Sequence, residues 1–121
     1  PGEWDARFKE YLGVTPPNAA SGVLQDVHWS GGMLGYFPTY ALGNLVSAQL
    51  WEVILQDIPD LESQISAGQF ADLLAWLRRN VHIHGAKYEP QELVQKVTGN
   101  KIDPHPYLHY LRNKYGELYK L

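Results

Sequence analysis

The sequence contains no cysteine, and this absence excludes disulfide scaffolds, thiolate catalysis and zinc fingers with Cys ligands. Charge is also scarce, because charged residues make up only 19% of the 121 residues. Ten Lys and Arg against 13 Asp and Glu give a net charge of −3, and the basic residues do not cluster anywhere in the sequence. We therefore expect neither nucleic acid nor an anionic membrane surface as a partner.

Long hydrophobic runs are missing as well. The longest uninterrupted apolar run covers residues 73–77, whereas a membrane-spanning helix needs roughly 18 residues. No charged-then-apolar leader opens the sequence, so we expect a cytoplasmic protein. Because the first residue is Pro1 rather than Met, we also expect that the chain is a processed product or a piece of something longer.

Hydrophobic residues reach 45% and aromatic residues 12%, a composition typical of a globular protein and not of a disordered one. Apolar residues recur at helical spacing, and Pro and Gly mark helix starts and stops. No segment alternates apolar and polar residues as a strand would. We therefore predict an all-α fold, as one helical domain over residues 1–121. The predicted helical segments cover residues 4–12, 19–27, 42–54, 60–68, 70–81, 90–97 and 103–118.

The segment 22–40 differs from ordinary helix sequence. Three glycines within five residues separate His28 from an aromatic group that contains Tyr36 and Tyr40. Glycine at this density indicates left-handed backbone or the close approach of another group. An imidazole, the carboxylate of Asp26 and two phenols could hydrogen-bond a carbonyl or an oxyanion. The alternative is structural. His28 would then cap a helix or fill space in the core, and the tyrosines would be amphipathic core residues.

Other candidate sites are weaker. The glycine spacing matches neither common phosphate-binding loop, and no serine lies in a GxSxG motif. His105 and His109 have the i, i+4 spacing of zinc ligands on a helix, but Pro106 stands where HExxH requires Glu. We interpret His105 as a solvated residue of a first turn, and His82 and His84 as a polar helix end.

Two blocks carry a family resemblance. Gly22-Val-Leu-Gln-Asp-Val-His-Trp29 and Gly35-Tyr-Phe-Pro-Thr-Tyr-Ala-Leu-Gly-Asn44 resemble the signatures GxxQDxHW and GYFPTYxLG of the carboxypeptidase Taq family of zinc metallocarboxypeptidases. Residues 84–85, 88–93, 98–99 and 103–108 also look like the family's C-terminal helices. The resemblance covers nearly the whole chain, but only about the last quarter of the family's usual length.

The resemblance implies a fragment of a larger, mostly helical enzyme that removes C-terminal residues from peptides. Family members hold zinc with an HExxH helix and a downstream Glu, and an Arg-bearing motif takes the terminal carboxylate of the peptide. These motifs precede the two blocks, and this chain contains none of them. We therefore expect zinc only in the complete enzyme, and neither zinc nor activity in this chain alone. Its expected partners are peptide substrates, the N-terminal part of the same enzyme and, through unburied apolar faces, a second copy in a homodimer.

The resemblance also implies roles for particular residues. When a metal-bound water attacks a peptide carbonyl, a negative oxygen forms that needs preorganised donors. His28 and Tyr40 are the expected donors, with Tyr36 as the second choice of phenol. Asp26 is expected to orient the imidazole, as carboxylates often do for catalytic histidines.

Gln25 and Trp29 are expected to shape the wall of the substrate pocket. A function of a different class stays open, namely a helical protein-interaction module whose exposed aromatics bind a partner. The zinc content and peptidase activity of the longer natural chain would separate the two hypotheses.

Overall fold

The computed structural model describes residues 1–120, and these residues form α-helices and short 3₁₀ turns without any strand. The predicted all-α class is confirmed. Leu121, the last residue of the predicted 1–121 domain, lies outside the described residues. The α-helices are α1 (Gly2–Leu12), α2 (Val27–Ser30), α3 (Thr39–Asp57), α4 (Leu61–Ser66), α5 (Ala71–Asn80), α6 (Pro90–Thr98) and α7 (His105–Tyr119); 3₁₀ turns occupy Ala19–Ser21, Val23–Gln25 and His82–His84.

Helix ends follow the predicted signals, most clearly in α6. Pro90 occupies its first turn, and the side chains of Glu89 and Glu92 form a reciprocal capping box there. The helix ends at Gly99, whose φ of 80° is a left-handed conformation that favours glycine. The short-range signals therefore determine where this helix begins and ends.

The predicted helix at 19–27 is wrong. The structure has two 3₁₀ turns there, separated by Gly22 with φ −119° and ψ −115°, and α2 begins only at Val27. A Cβ on Gly22 would lie 3.0 Å from the Cβ of Pro16, so the backbone at Gly22 packs closely against the Pro16 ring. The Asn18 side chain caps the first turn by accepting a hydrogen bond from the Ser21 backbone nitrogen. Local capping and this contact override the helical periodicity.

The chain divides into two compact units, Pro1–Tyr40 and Ala41–Leu121. The single domain over residues 1–121 stays a prediction. None of the helices within residues 1–120 combines the length and the apolar character needed to cross a membrane.

The second unit has a core of three buried side chains, Ile54, Leu61 and Trp76, which come from α3, α4 and α5. The indole nitrogen of Trp76 donates a hydrogen bond to Asp57 Oδ2 at 2.7 Å, so the buried indole has a polar partner. Apolar side chains that pack against this core are Leu50, Trp51, Val53, Leu55, Ile58, Ile65, Leu73, Leu77, Val81 and Val97.

Gln49 is a buried polar residue on α3, with 5% of its surface exposed. Its amide nitrogen donates to Thr98 Oγ1 and to the carbonyl oxygen of Lys101, each at 3.0 Å. Its amide oxygen accepts from the backbone nitrogen of Asp103 at 3.1 Å. One side chain thus joins α3 to the connection between α6 and α7. The periodicity of α3 did not reveal this role.

Replacing Gln49 with Met should destabilise the protein by about 1 to 3 kcal/mol. Methionine is similar in size but leaves the backbone carbonyl oxygen of Lys101 and the backbone nitrogen of Asp103 without this hydrogen-bond partner. The measurement is the free energy of unfolding in urea. The exposed Gln56 lies on the same helix, and Gln56→Met is the matched control, with a change below about 0.5 kcal/mol. Equal effects of the two variants would contradict a bridging role for Gln49.

Candidate active site

Asp26 and His28 form the centre of the candidate site, in the first unit. Asp26 is the N-cap of α2, and its Oδ1 accepts a hydrogen bond from the His28 backbone nitrogen at 3.0 Å. The same oxygen lies 2.6 Å from His28 Nδ1. One carboxylate therefore fixes both the backbone and the imidazole of His28. Each of the two side chains is only 17% exposed.

The carboxyl group of Asp26 is held in its ionised form. The hydrogen bond from the His28 backbone nitrogen is the main cause that lowers the pKa of Asp26 below its ordinary value, and the imidazole hydrogen bond adds to it against the opposing effect of desolvation. An ionised carboxylate can only accept hydrogen bonds. The proton between Asp26 and His28 is therefore assigned to Nδ1.

The turn between α2 and α3 brings Tyr40 to the other side of the imidazole. The backbone nitrogen of Met33 donates to the carbonyl oxygen of His28 at 2.8 Å, which folds the chain back on α2. Gly35 adopts a φ of 74°, a left-handed conformation that favours glycine, and so permits the turn before α3. Tyr40, in the first turn of α3, places its hydroxyl oxygen 3.3 Å from His28 Nε2.

Aromatic rings surround the imidazole. Tyr36 stacks on it, with ring centroids 5.0 Å apart and an interplanar angle of 27°. Phe37 is tilted against it at 5.9 Å, and Tyr36 meets Tyr40 edge to face at 5.9 Å. We call Asp26, His28, Tyr36, Phe37 and Tyr40 the His28 cluster. Phe37 was not among the predicted site residues, although it lies inside the block GYFPTY.

The structure does not place Gln25 and Trp29 in this cluster. The side-chain nitrogen of Gln25 donates to the carbonyl oxygen of Ala20, so its amide is used locally. Trp29 is 41% exposed. Among the described residues 1–120, the rings that contact the imidazole of His28 are those of Tyr36, Phe37 and Tyr40, and the Trp29 indole is not one of them. Their roles in a pocket wall stay predictions.

Residues 1–120 hold no group of side chains that could form a zinc site. Across residues 1–120, no three His, Asp or Glu side chains lie close enough together to hold a metal ion. The two histidines with ligand spacing have other contacts. His105 Nδ1 lies 2.6 Å from Asp103 Oδ1, and His109 Nε2 lies 3.1 Å from the amide nitrogen of Asn113.

The family model of the carboxypeptidase Taq (M32) metallopeptidases matches residues 1–115. The chain belongs to this family. An M32 relative, carboxypeptidase 1 of Bacillus subtilis, is 42% identical over all 121 residues, which are 24% of that protein. Thermostable carboxypeptidase 1 of Thermus thermophilus is 42% identical over 119 residues, covering 98% of this chain and 23% of the relative.

A solved structure agrees in fold. The M32 carboxypeptidase from Deinococcus radiodurans superposes with a TM-score of 0.92 at 41% identity, covering 99% of this chain and 24% of that one. The chain therefore spans about a quarter of the length of the M32 relatives it matches, as the resemblance of its two blocks implies. The His28 cluster lies wholly within the part that matches the M32 model.

Proposed function

We propose that this chain is the C-terminal part of a zinc-dependent carboxypeptidase that removes C-terminal residues from peptides. Membership of a metallopeptidase family supports the reaction class, and the short span relative to its relatives supports the fragment. The observation that carries the assignment of the site is the hydrogen-bonded series Asp26, His28 and Tyr40, with contacts of 2.6 and 3.3 Å.

The cluster is suited to stabilising an oxyanion. Zinc, held by residues outside this chain, would supply an activated water in the complete enzyme. The tetrahedral oxygen that results from attack needs donors at about 2.7 to 3.1 Å. His28 Nε2 and the Tyr40 hydroxyl are 3.3 Å apart, so a single oxygen atom could contact both. Tyr36 is the weaker candidate donor, because its ring stacks on the imidazole face.

The N-terminal part of the same enzyme is the proposed partner that holds the metal and most of the peptide. Large apolar side chains stay exposed on this chain, as expected of surfaces that pack against missing protein. On α7 alone the exposed apolar residues are Leu108, Tyr110, Tyr115, Leu118 and Tyr119. A homodimer would cover such surfaces too.

We also propose a cytoplasmic localisation for this protein.

The isolated chain should bind no stoichiometric zinc and should release no C-terminal residues from peptides, because residues 1–120 hold no set of metal ligands. The measurements are zinc content after dialysis against a weak chelator and peptidase activity. The control is the complete enzyme, meaning this segment joined to its upstream part, which should show both properties. Tight zinc binding by the isolated chain would contradict the proposal. A complete enzyme without zinc or activity would favour the interaction-module hypothesis instead.

A further inference from the structure

Phe37 is the one member of the His28 cluster without a polar side-chain atom. Its ring centroid lies 5.9 Å from that of His28 and 5.7 Å from that of Tyr40, so it contacts both proposed oxyanion donors. The turn holds it there, because the backbone nitrogen of Tyr40 donates to the carbonyl oxygen of Phe37 at 3.2 Å. A phenyl ring has no proton to donate, so any contact that Phe37 makes with a substrate is apolar.

The Phe37 ring leaves apolar surface open beside the two donors. Phe37 is 56% exposed. A single exposed apolar residue is ordinary on a protein surface, but this one touches both groups that are placed to bind the oxyanion. The segment 27–40 also contains no Asp, Glu, Lys or Arg. It therefore offers a favourable surface to a large apolar side chain, and no permanently charged partner to a charged one.

The proposed reaction indicates which substrate side chain lies beside this surface. The bond that breaks joins the carbonyl carbon of the penultimate residue to the nitrogen of the C-terminal residue, so the oxyanion forms on the penultimate residue. The side chain of that residue is attached one atom closer to the oxyanion than the side chain of the residue that leaves. When His28 and Tyr40 contact the oxyanion, the penultimate side chain is the one attached nearest to Phe37.

We propose that Phe37 is a specificity-determining residue that packs against a large apolar side chain, above all an aromatic one, at the penultimate position of the peptide substrate. The inference rests on the proposed function and adds a substrate class to it. Two aromatic rings in contact attract each other by more than the apolar area they bury, so an aromatic side chain should gain most from this contact.

The test uses the complete enzyme and two peptides that differ only at the penultimate residue, one with Phe and one with Ala. The readout is the ratio of their kcat/KM values, which cancels any loss that affects both peptides equally. The parent enzyme should prefer the peptide with Phe, and this ratio should fall roughly 5- to 30-fold in Phe37→Ala. Phe37→Leu should lower it less, since leucine keeps apolar area but lacks the ring. The leucine variant also keeps the test decisive if Phe37→Ala does not fold.

Phe70→Ala is the matched control. Phe70 is 54% exposed, close to the exposure of Phe37, and it lies outside the His28 cluster, directly before α5. Its replacement should leave the ratio unchanged. A parent-like ratio in both Phe37 variants, whatever their activity, would reduce Phe37 to a packing residue and overturn the inference. An equal fall in Phe70→Ala would overturn it too. So would a change confined to peptides that vary at the C-terminal residue, because Phe37 would then lie beside the side chain that leaves.

Tyr40→Phe, measured with the same peptides, tests the proposed function separately. If it lowers kcat for both peptides while Phe37→Ala keeps the parent ratio, the proposed function stands and only this inference fails. If Tyr40→Phe keeps the parent kcat, the proposed oxyanion site is wrong and the inference fails with it.

Discussion

Replacing Tyr40 with Phe in the complete enzyme should lower kcat by roughly 100- to 1000-fold, the usual effect of removing one preorganised oxyanion donor. The hydroxyl lies 3.3 Å from His28 Nε2, at a place where one oxygen atom could contact both groups. Because the contact develops mainly in the transition state, KM should change much less than kcat. Steady-state kinetics on a peptide substrate give both constants.

Two measurements show whether such a loss of kcat reflects the chemical step and not a loss of zinc or a general effect of removing a phenol hydroxyl. Zinc content should equal that of the parent enzyme, since Tyr40 is not an expected metal ligand. Tyr11→Phe is the matched control, because it removes a phenol hydroxyl from a side chain that is 71% exposed on α1, and it should keep the parent kcat. If Tyr40→Phe keeps the parent kcat with zinc bound, Tyr40 is no more than an aromatic packing residue.

Short-range signals predicted the helices well. The Pro90 start and the Gly99 stop lie within one turn of the helix they bound, and such signals act through local backbone geometry. The segment 19–27 failed because its conformation depends on the contact between Gly22 and Pro16 and on the side-chain cap of Asn18. Apolar periodicity contains no information about either interaction.

For the candidate site, too, the sequence predicted which residues take part but not how their side chains are arranged. The sequence indicated both phenols, but spacing could not tell which hydroxyl approaches His28, because the answer depends on the turn through Gly35. In the structure Tyr40 points its hydroxyl at Nε2, whereas Tyr36 stacks on the ring. Gln49 was missed, although a polar residue on an otherwise apolar helix face is a signal that could have identified it.

Replacing His28 with Ala in the complete enzyme should lower kcat at least as much as Tyr40→Phe does. The change removes the Nε2 donor and also the group that positions the Tyr40 hydroxyl. It also leaves the Asp26 carboxylate without its imidazole partner. Since the carboxylate still caps α2 through the backbone nitrogen of residue 28, the fold should be retained.

The chain supplies a matched control for this variant in His105. Asp103 and His105 repeat the turn of Asp26 and His28, with the same contacts of 3.0 Å to the backbone nitrogen and 2.6 Å to Nδ1. The His105 side chain, however, is 85% exposed. His105→Ala should therefore keep the parent kcat. A similar loss in both variants would assign the effect to the Asp-x-His turn and not to the cluster.

The double variant His28→Ala with Tyr40→Phe tests whether the two residues act as a unit. If they bind the same oxyanion in concert, the second substitution should cost little once the first is made, so kcat of the double variant should lie within about tenfold of His28→Ala alone. Independent donors would instead multiply their losses, to roughly 10⁴-fold or more. Multiplying losses would contradict the coupling of the two residues, because the Tyr40 hydroxyl would then act without His28 to position it.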